Sequence, residues 1–204
     1  MEEDGFSGAL NRAYTQPDVN AASATPNLLT SEYRDSIAAR HAEFGIPADY
    51  AASRKLALCE EASELVSIGA DVLGREQQLT PKAAAAWRSM QAAAAADGVQ
   101  IMVVSAFRSV AYQCALIQRK LDRGMDIAEI LKINAAPGYS EHHTGRTLDL
   151  TTSDMPPLEQ GFETTAAFAW LVQHAGEYGF HLSYPRGNPH GINYEPWHWT
   201  YHET

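Results

Sequence analysis

Apolar and polar positions in this chain follow two periods, and the change from one to the other divides it into helices and strands. From Thr30 onward, Tyr33, Ile37, Ala38 and His41 recur at helical spacing until Gly45-Ile46-Pro47 ends the pattern, with Thr30 or Ser31 placed to cap it. A second helix is predicted from Ala51 to Leu58 or beyond, with Glu60, Glu61 and Glu64 on a solvated face. Thr80 and Pro81 then open an Ala-rich helix that Gly98 stops. Residues 99–104 form a short β-branched apolar run, the mark of a buried strand. Ser105-Ala106-Phe107-Arg108-Ser109 leaves that strand for a helix reaching about Asp122, ended by Gly124. A short helix over 126–133 and a loop at Pro137-Gly138 follow. Strands are predicted at 146–151, 180–184 and 194–202, with a helix over 164–178 capped by Thr164 and a turn at 185–191. Helices come first and strands mix with helices later, without βαβ alternation. The class is therefore α+β, a small, mostly antiparallel sheet flanked by helices.

Before Thr30 the segments Gln16-Pro17-Asp18 and Ala24-Thr25-Pro26-Asn27 interrupt any periodicity, so residues 1–30 read as an irregular extension and 31–204 as one domain. A length of 204 residues suits one well-buried core. The net charge of −10, from 15 basic and 25 acidic residues without a Lys/Arg cluster, removes nucleic acid and anionic membranes from the expected partners. No apolar run approaches the roughly 20 residues that span a bilayer. The acidic start, Met1 to Gly5, lacks the basic and apolar parts of a signal peptide. The compartment is cytoplasmic for a complete chain, and the cell envelope for one trimmed of a leader. Cys59 and Cys114, both in stretches read as helical, either pair in an oxidising compartment or serve as small buried apolar residues.

Five of the eight histidines fall in two short segments, 140–149 and 187–202. Neither contains the helical H-E-x-x-H of many zinc peptidases. They offer instead an imidazole and a carboxylate seven residues apart around Gly145, then a carboxylate three residues before another imidazole. A catalytic zinc needs three N or O ligands, an open position and a carboxylate that does not ligate but can take a proton from water. His142, Asp149, His198 and Glu195 would fill those roles. His143 stands beside His142 as a rival ligand. His190 and His202 are near enough to touch a substrate or brace a ligand, and His41, His174 and His181 are read as structural. The aromatic set Tyr194, Trp197, Trp199 and Tyr201 is read mainly as core.

Residues 137–149 carry Ser140-x-His142-x-x-Gly145-x-x-x-Asp149, and this segment resembles the S-x-H-x-x-G-x-x-x-D motif of the VanY-like D-alanyl-D-alanine carboxypeptidases. Glu195-Pro196-Trp197-His198 is similar to their E-x-W-H motif, and Ser105 to Ser109 to their S-x-(Y/F)-R-S motif. The three occur in the family's order, and the likeness runs from about Leu79 to the C-terminus. The resemblance implies the zinc fold shared by DD-peptidases and hedgehog proteins. It implies one Zn2+ per chain held by His142, Asp149 and His198, with Glu195 as general base. It also implies Arg108 as the contact to the substrate backbone or carboxylate, with Ser109, Gln113 and Ser140 as further substrate or supporting contacts. Position 143 is His where Gln is common in the family, and Arg146-Thr147-Leu148 replaces smaller residues. The implied substrate is a peptidoglycan stem peptide losing its terminal D-alanine, by a D,D or an L,D cut. The alternatives are a phage-lysin type endopeptidase with the same metal chemistry, and a catalytically silent zinc module that binds peptide. Retention of both Glu195 and Arg108 speaks against the silent module.

Overall fold

A computed structural model describes residues 30–203. Helix α1 (Ser31–Phe44) begins at Thr30, whose hydroxyl accepts the amide of Tyr33, and ends at Gly45 in the left-handed conformation. A single turn, α2 (Tyr50–Ser53), follows. Then come β1 (Val66–Ala70), β2 (Glu76–Leu79), α3 (Pro81–Ala96), β3 (Met102–Ser105), α4 (Val110–Asp122) and α5 (Ile127–Ile133). A 3-10 turn (Glu141–Thr144) leads into β4 (Thr147–Thr151); α6 (Ala166–His174), β5 (Phe180–Leu182) and β6 (His198–Tyr201) complete the order. The main sheet runs β3-β4-β6-β5, antiparallel throughout, and β1 and β2 form a separate hairpin. The α+β class with small antiparallel sheets is thus the one predicted.

Alternation along β4 and β6 separates two kinds of surface. Leu148, Leu150 and Trp199 face the main core, among Leu79, Trp87, Met90, Leu171 and Phe180. Thr147 pairs with Thr200 and Asp149 with His198. All five residues of β4 are buried, so its polar side is covered as well. Part of that cover comes from the N-terminal segment. The His41 ring donates from Nε2 to the Pro137 carbonyl at 2.8 Å, the Cys59 amide donates to the Gly138 carbonyl at 2.7 Å, and the Ala62 amide to the His143 carbonyl at 2.8 Å.

Several predicted elements differ in the structure. The second helix stops after one turn, because Lys55 takes a positive φ of 52° and the Arg54 guanidinium bonds the carbonyls of Leu131 and Gly191. Cys59 therefore lies outside any helix; it and Cys114 are free thiols. Glu61 is exposed as expected but lies outside any helix, and its carboxylate accepts the Val110 amide at 2.7 Å, at the start of α4. The β1–β2 hairpin was not foreseen, since Glu76-Gln77-Gln78 carries no apolar alternation; Gln77 is buried through bonds to Asp71 and the Ala106 amide. The predicted 164–178 helix is shorter, capped by Thr165 and closed by a 3-10 turn (Ala175–Tyr178). The final strand begins only at His198, because residues 195–198 turn back on themselves through a His198 amide to Glu195 carbonyl bond of 3.2 Å.

Gly145 closes the turn that carries His142. Its φ is +63°, and an added Cβ would stand 2.9 Å from Leu65 Cδ2 and 3.0 Å from Ala62 Cβ. Gly145→Ala should therefore cost about 1–3 kcal/mol of stability, from backbone strain and this crowding. Urea unfolding monitored by Trp fluorescence measures it; an unchanged midpoint would show that the turn is not built as described.

Candidate metal and catalytic site

The pairing of β4 with β6 sets Asp149 opposite His198, on the sheet face turned away from the apolar core. His142 reaches the same place from the 3-10 turn just before β4. Its Nδ1 donates to the Ala106 carbonyl at 2.5 Å, so Nε2 carries the lone pair. That Nε2 is buried without a hydrogen bond, yet lies only 3.2 Å from Asp149 Oδ2. Two acceptors at that distance repel each other unless a cation sits between them. His198 Nδ1 lies 3.2 Å from the other Asp149 oxygen. One ligand atom from each of His142, Asp149 and His198 lies within 4.8 Å of the others. In a tetrahedron with bonds of about 2.0–2.2 Å, ligand atoms stand roughly 3.3–3.6 Å apart, close to the 3.2 Å of the two contacts to Asp149, so these residues could hold an ion. Two imidazoles and one carboxylate suit zinc better than magnesium or calcium, which prefer all-oxygen sets.

The electrostatics follow from burial and close opposite charges. Burial and the nearby Arg108 push His142 down to about 4, which keeps it neutral. Burial would raise Asp149, but His142, His198 and Arg108 outweigh it and hold the carboxyl well below its usual range. Burial also opposes charge on His198; its bonds to Asp149 and Glu141 prevail and lift it to about 10. A divalent cation among the same donors would take the place of the Nδ1 proton.

Glu195 sits in the turn before β6, with its amide bonded to the Tyr184 carbonyl at 3.1 Å. Its Oε2 is 3.6 Å from His198 Nδ1, close to the donor cluster but not part of it. Burial raises its pKa to about 7, with His198 and Arg108 pulling down and Asp149 and Glu141 pushing up. Arg108, between β3 and α4, has Nη2 3.9 Å from Asp149 Oδ2 and a buried Nε with no partner. Gln113 on α4 donates to the Ala135 carbonyl at 2.7 Å and keeps a buried, unpartnered Oε1. Ser140 is buried at the start of the turn, its carbonyl accepting the His143 amide at 3.0 Å. The Ser109 hydroxyl accepts the Tyr112 amide at 3.0 Å as the cap of α4, leaving its proton available elsewhere.

His143 is not placed as a rival ligand. Its Nδ1 donates to the Arg108 carbonyl at 2.6 Å and its Nε2 accepts the Gly138 amide at 3.1 Å, so both nitrogens are used. Burial lowers its pKa to about 4, consistent with this neutral tautomer. With the Arg108 amide donating to the His142 carbonyl at 3.2 Å, the His142-His143 pair holds the Arg108 backbone at both ends. A Gln at 143 can make the same donor and acceptor pair, which accounts for the interchange noted in the sequence. His190 bonds the Arg54 carbonyl, and the His202 ring lies tilted beside that of His181 at 5.6 Å.

Two neighbours of the cluster escaped the sequence reading. Tyr184 places its ring 4.6 Å from that of His198. Glu141 bonds His198 Nε2 at 2.8 Å, and only its position beside His142 hinted at a supporting role.

The sequence profile of the VanY family, described as D-alanyl-D-alanine carboxypeptidase, matches residues 76–204, more than half of the chain. Among curated relatives, YodJ of Bacillus subtilis (strain 168) is 33% identical over 132 residues, covering 62% of this chain and 47% of its own. The bifunctional D-Ala-D-Ala dipeptidase and carboxypeptidase VanXYC of Enterococcus gallinarum is 30% identical over 128 residues, covering 60% of this chain and 66% of its own. The chain thus spans only part of the length of these relatives. Among solved structures, the LD-carboxypeptidase LdcB superposes with a TM-score of 0.62 at 30% identity, covering 69% of each chain. VanYB in complex with D-alanine-D-alanine gives 0.53 at 26% identity over 68% of this chain and 76% of that one. With the motif residues gathered at one buried cluster and the profile matched over the whole motif-bearing part, the chain belongs to the VanY family of D-alanyl-D-alanine carboxypeptidases.

Proposed function

We propose that residues 31–204 form one zinc-dependent carboxypeptidase unit that removes the terminal D-alanine from peptidoglycan stem peptides, with one zinc held by His142, Asp149 and His198. The observation that carries this reading is the donor cluster itself: three ligand atoms converge within 4.8 Å, and a carboxylate outside the set lies 3.6 Å from one of them. Substrate class rests on relatives: LdcB is an LD-carboxypeptidase whose structure concerns peptidoglycan recognition, and VanYB binds D-alanine-D-alanine. A wall substrate favours an envelope or secreted setting. No described helix is long and apolar enough to cross a membrane.

Zinc at this site would supply Lewis acidity towards the scissile carbonyl and the attacking water. Glu195 takes the proton of that water at its carboxylate and later hands it to the nitrogen of the departing D-alanine. Its burial increases the affinity of its carboxyl for a proton, which suits a group that accepts one and later donates it. Arg108 offers its unpartnered Nε and its permanent charge to the substrate carboxylate, the group that separates a carboxypeptidase from an endopeptidase. Gln113, whose Oε1 has no partner, and the Ser109 hydroxyl would serve as further contacts to the substrate peptide.

Glu195→Ala should keep stoichiometric zinc by elemental analysis and lose about 10²- to 10⁴-fold in kcat; near wild-type turnover would remove Glu195 from the mechanism. His198→Ala should release the metal, and unchanged zinc content would place the site elsewhere.

His143→Gln should retain activity, while His143→Leu should raise KM through a displaced Arg108, with zinc content unchanged. Equal kinetics for the two variants would deny His143 that bracing role.

Mass spectrometry of stem pentapeptide and tetrapeptide, with and without a zinc chelator, should show chelator-sensitive loss of one alanine. The peptide that shortens identifies the D,D or L,D bond. Cleavage of amidated C-termini as fast as free ones would favour the endopeptidase instead.

A further inference from the structure

Glu141 makes a set of contacts that none of the motif roles uses. Its Oε2 accepts His198 Nε2 at 2.8 Å and Thr200 Oγ1 at 2.8 Å. Thr200 Oγ1 also lies 3.0 Å from Thr147 Oγ1 and accepts Ser183 Oγ at 3.0 Å. Counting protons fixes the direction at Thr200. A carboxylate only accepts, so Thr200 gives its single proton to Glu141 and must accept from both Thr147 and Ser183. Thr200 is thus the hydroxyl that donates to the carboxylate oxygen, and Thr147 and Ser183 back it from behind.

Strand geometry explains the convergence. His198 and Thr200 are two residues apart on β6 and share a face. Thr147 lies across from Thr200 on β4, and Ser183 follows the end of β5 beside it. The 3-10 turn then brings Glu141 over this face while its neighbour His142 reaches the donor cluster.

We infer that Glu141 is a positioning residue for the metal centre, fixing the ring orientation and tautomer of His198 so that Nδ1 presents its lone pair to the site shared with Asp149 and His142. Because Nε2 must carry the proton given to Glu141, Nδ1 is the atom left to ligate. The carboxylate behind the ring also increases the donor strength of that nitrogen. Thr200, with Thr147 and Ser183 behind it, holds Glu141 in place.

This inference rests on the metal reading above, and metal affinity separates the two. Zinc affinity is measured by competition with a chromophoric chelator for the wild type and for Glu141→Leu, Glu141→Gln and His198→Ala. Glu141→Leu has similar size and no acceptor; it should bind zinc about 10- to 100-fold more weakly, the usual loss when a ligand's outer partner is removed. Glu141→Gln keeps a neutral acceptor and should fall between it and the wild type. If Glu141→Leu does not fold, Glu141→Gln carries the affinity test alone, and wild-type affinity in it overturns the inference. A long-range 15N–1H spectrum of the zinc-loaded wild type should show the His198 proton on Nε2; a proton on Nδ1 overturns it. Wild-type zinc affinity in Glu141→Leu, with zinc lost in His198→Ala, would reject the role of Glu141 and leave the metal site standing. Wild-type affinity in His198→Ala would reject both.

Discussion

The pairing of β4 with β6 places Asp149 directly across from His198, and the proposed chemistry depends on that register. Side chains alternate between sheet faces with a period of two, so a slip of one residue would turn the ligand face into the core face. Leu148, Leu150 and Trp199 oppose such a slip, since it would bring them out of a core that includes Trp87, Met90 and Phe180. Apolar burial on one side of two strands thereby fixes the separation of polar donors on the other. The remaining donor, His142, needs only a tight turn before β4, and Gly145 supplies its left-handed end.

A candidate metal site on a sheet face must also be held rigid, and here backbone hydrogen bonds contribute. The His142-His143 pair binds Arg108 at both its amide and its carbonyl. The N-terminal segment ties down Pro137, Gly138 and His143 through His41, Cys59 and Ala62. These bonds come from outside the part of the chain that matches the family profile, yet they bear on the turn holding His142. Burial raises Glu195, whereas His142, His198 and Arg108 outweigh burial at Asp149.

Much of the candidate cluster was legible in the sequence because its signals are local. Asp149 stands between two leucines, where an unpaired carboxylate would be costly, and Glu195 and His198 share one short segment. What stayed hidden depends on partners distant in the chain. Glu61 reads as part of a solvated charge run, but caps α4 from 49 residues away. The β1–β2 hairpin carries glutamines where apolar alternation would have announced a strand, and it is Gln77 that joins it to the β3–α4 connection. His143 reads in the sequence as a rival to His142, and only its two hydrogen bonds assign it to bracing the Arg108 backbone. Glu141 needed the direction of the His198 ring, which no spacing rule provides.

The central claim is that His142, Asp149 and His198 share one metal ion. Anomalous diffraction at the zinc absorption edge, from crystals grown with zinc, tests it directly. One strong peak is predicted about 2.0–2.2 Å from His142 Nε2, an Asp149 carboxylate oxygen and His198 Nδ1, with Glu195 outside ligating distance. A peak elsewhere, or none at this cluster, would contradict the account.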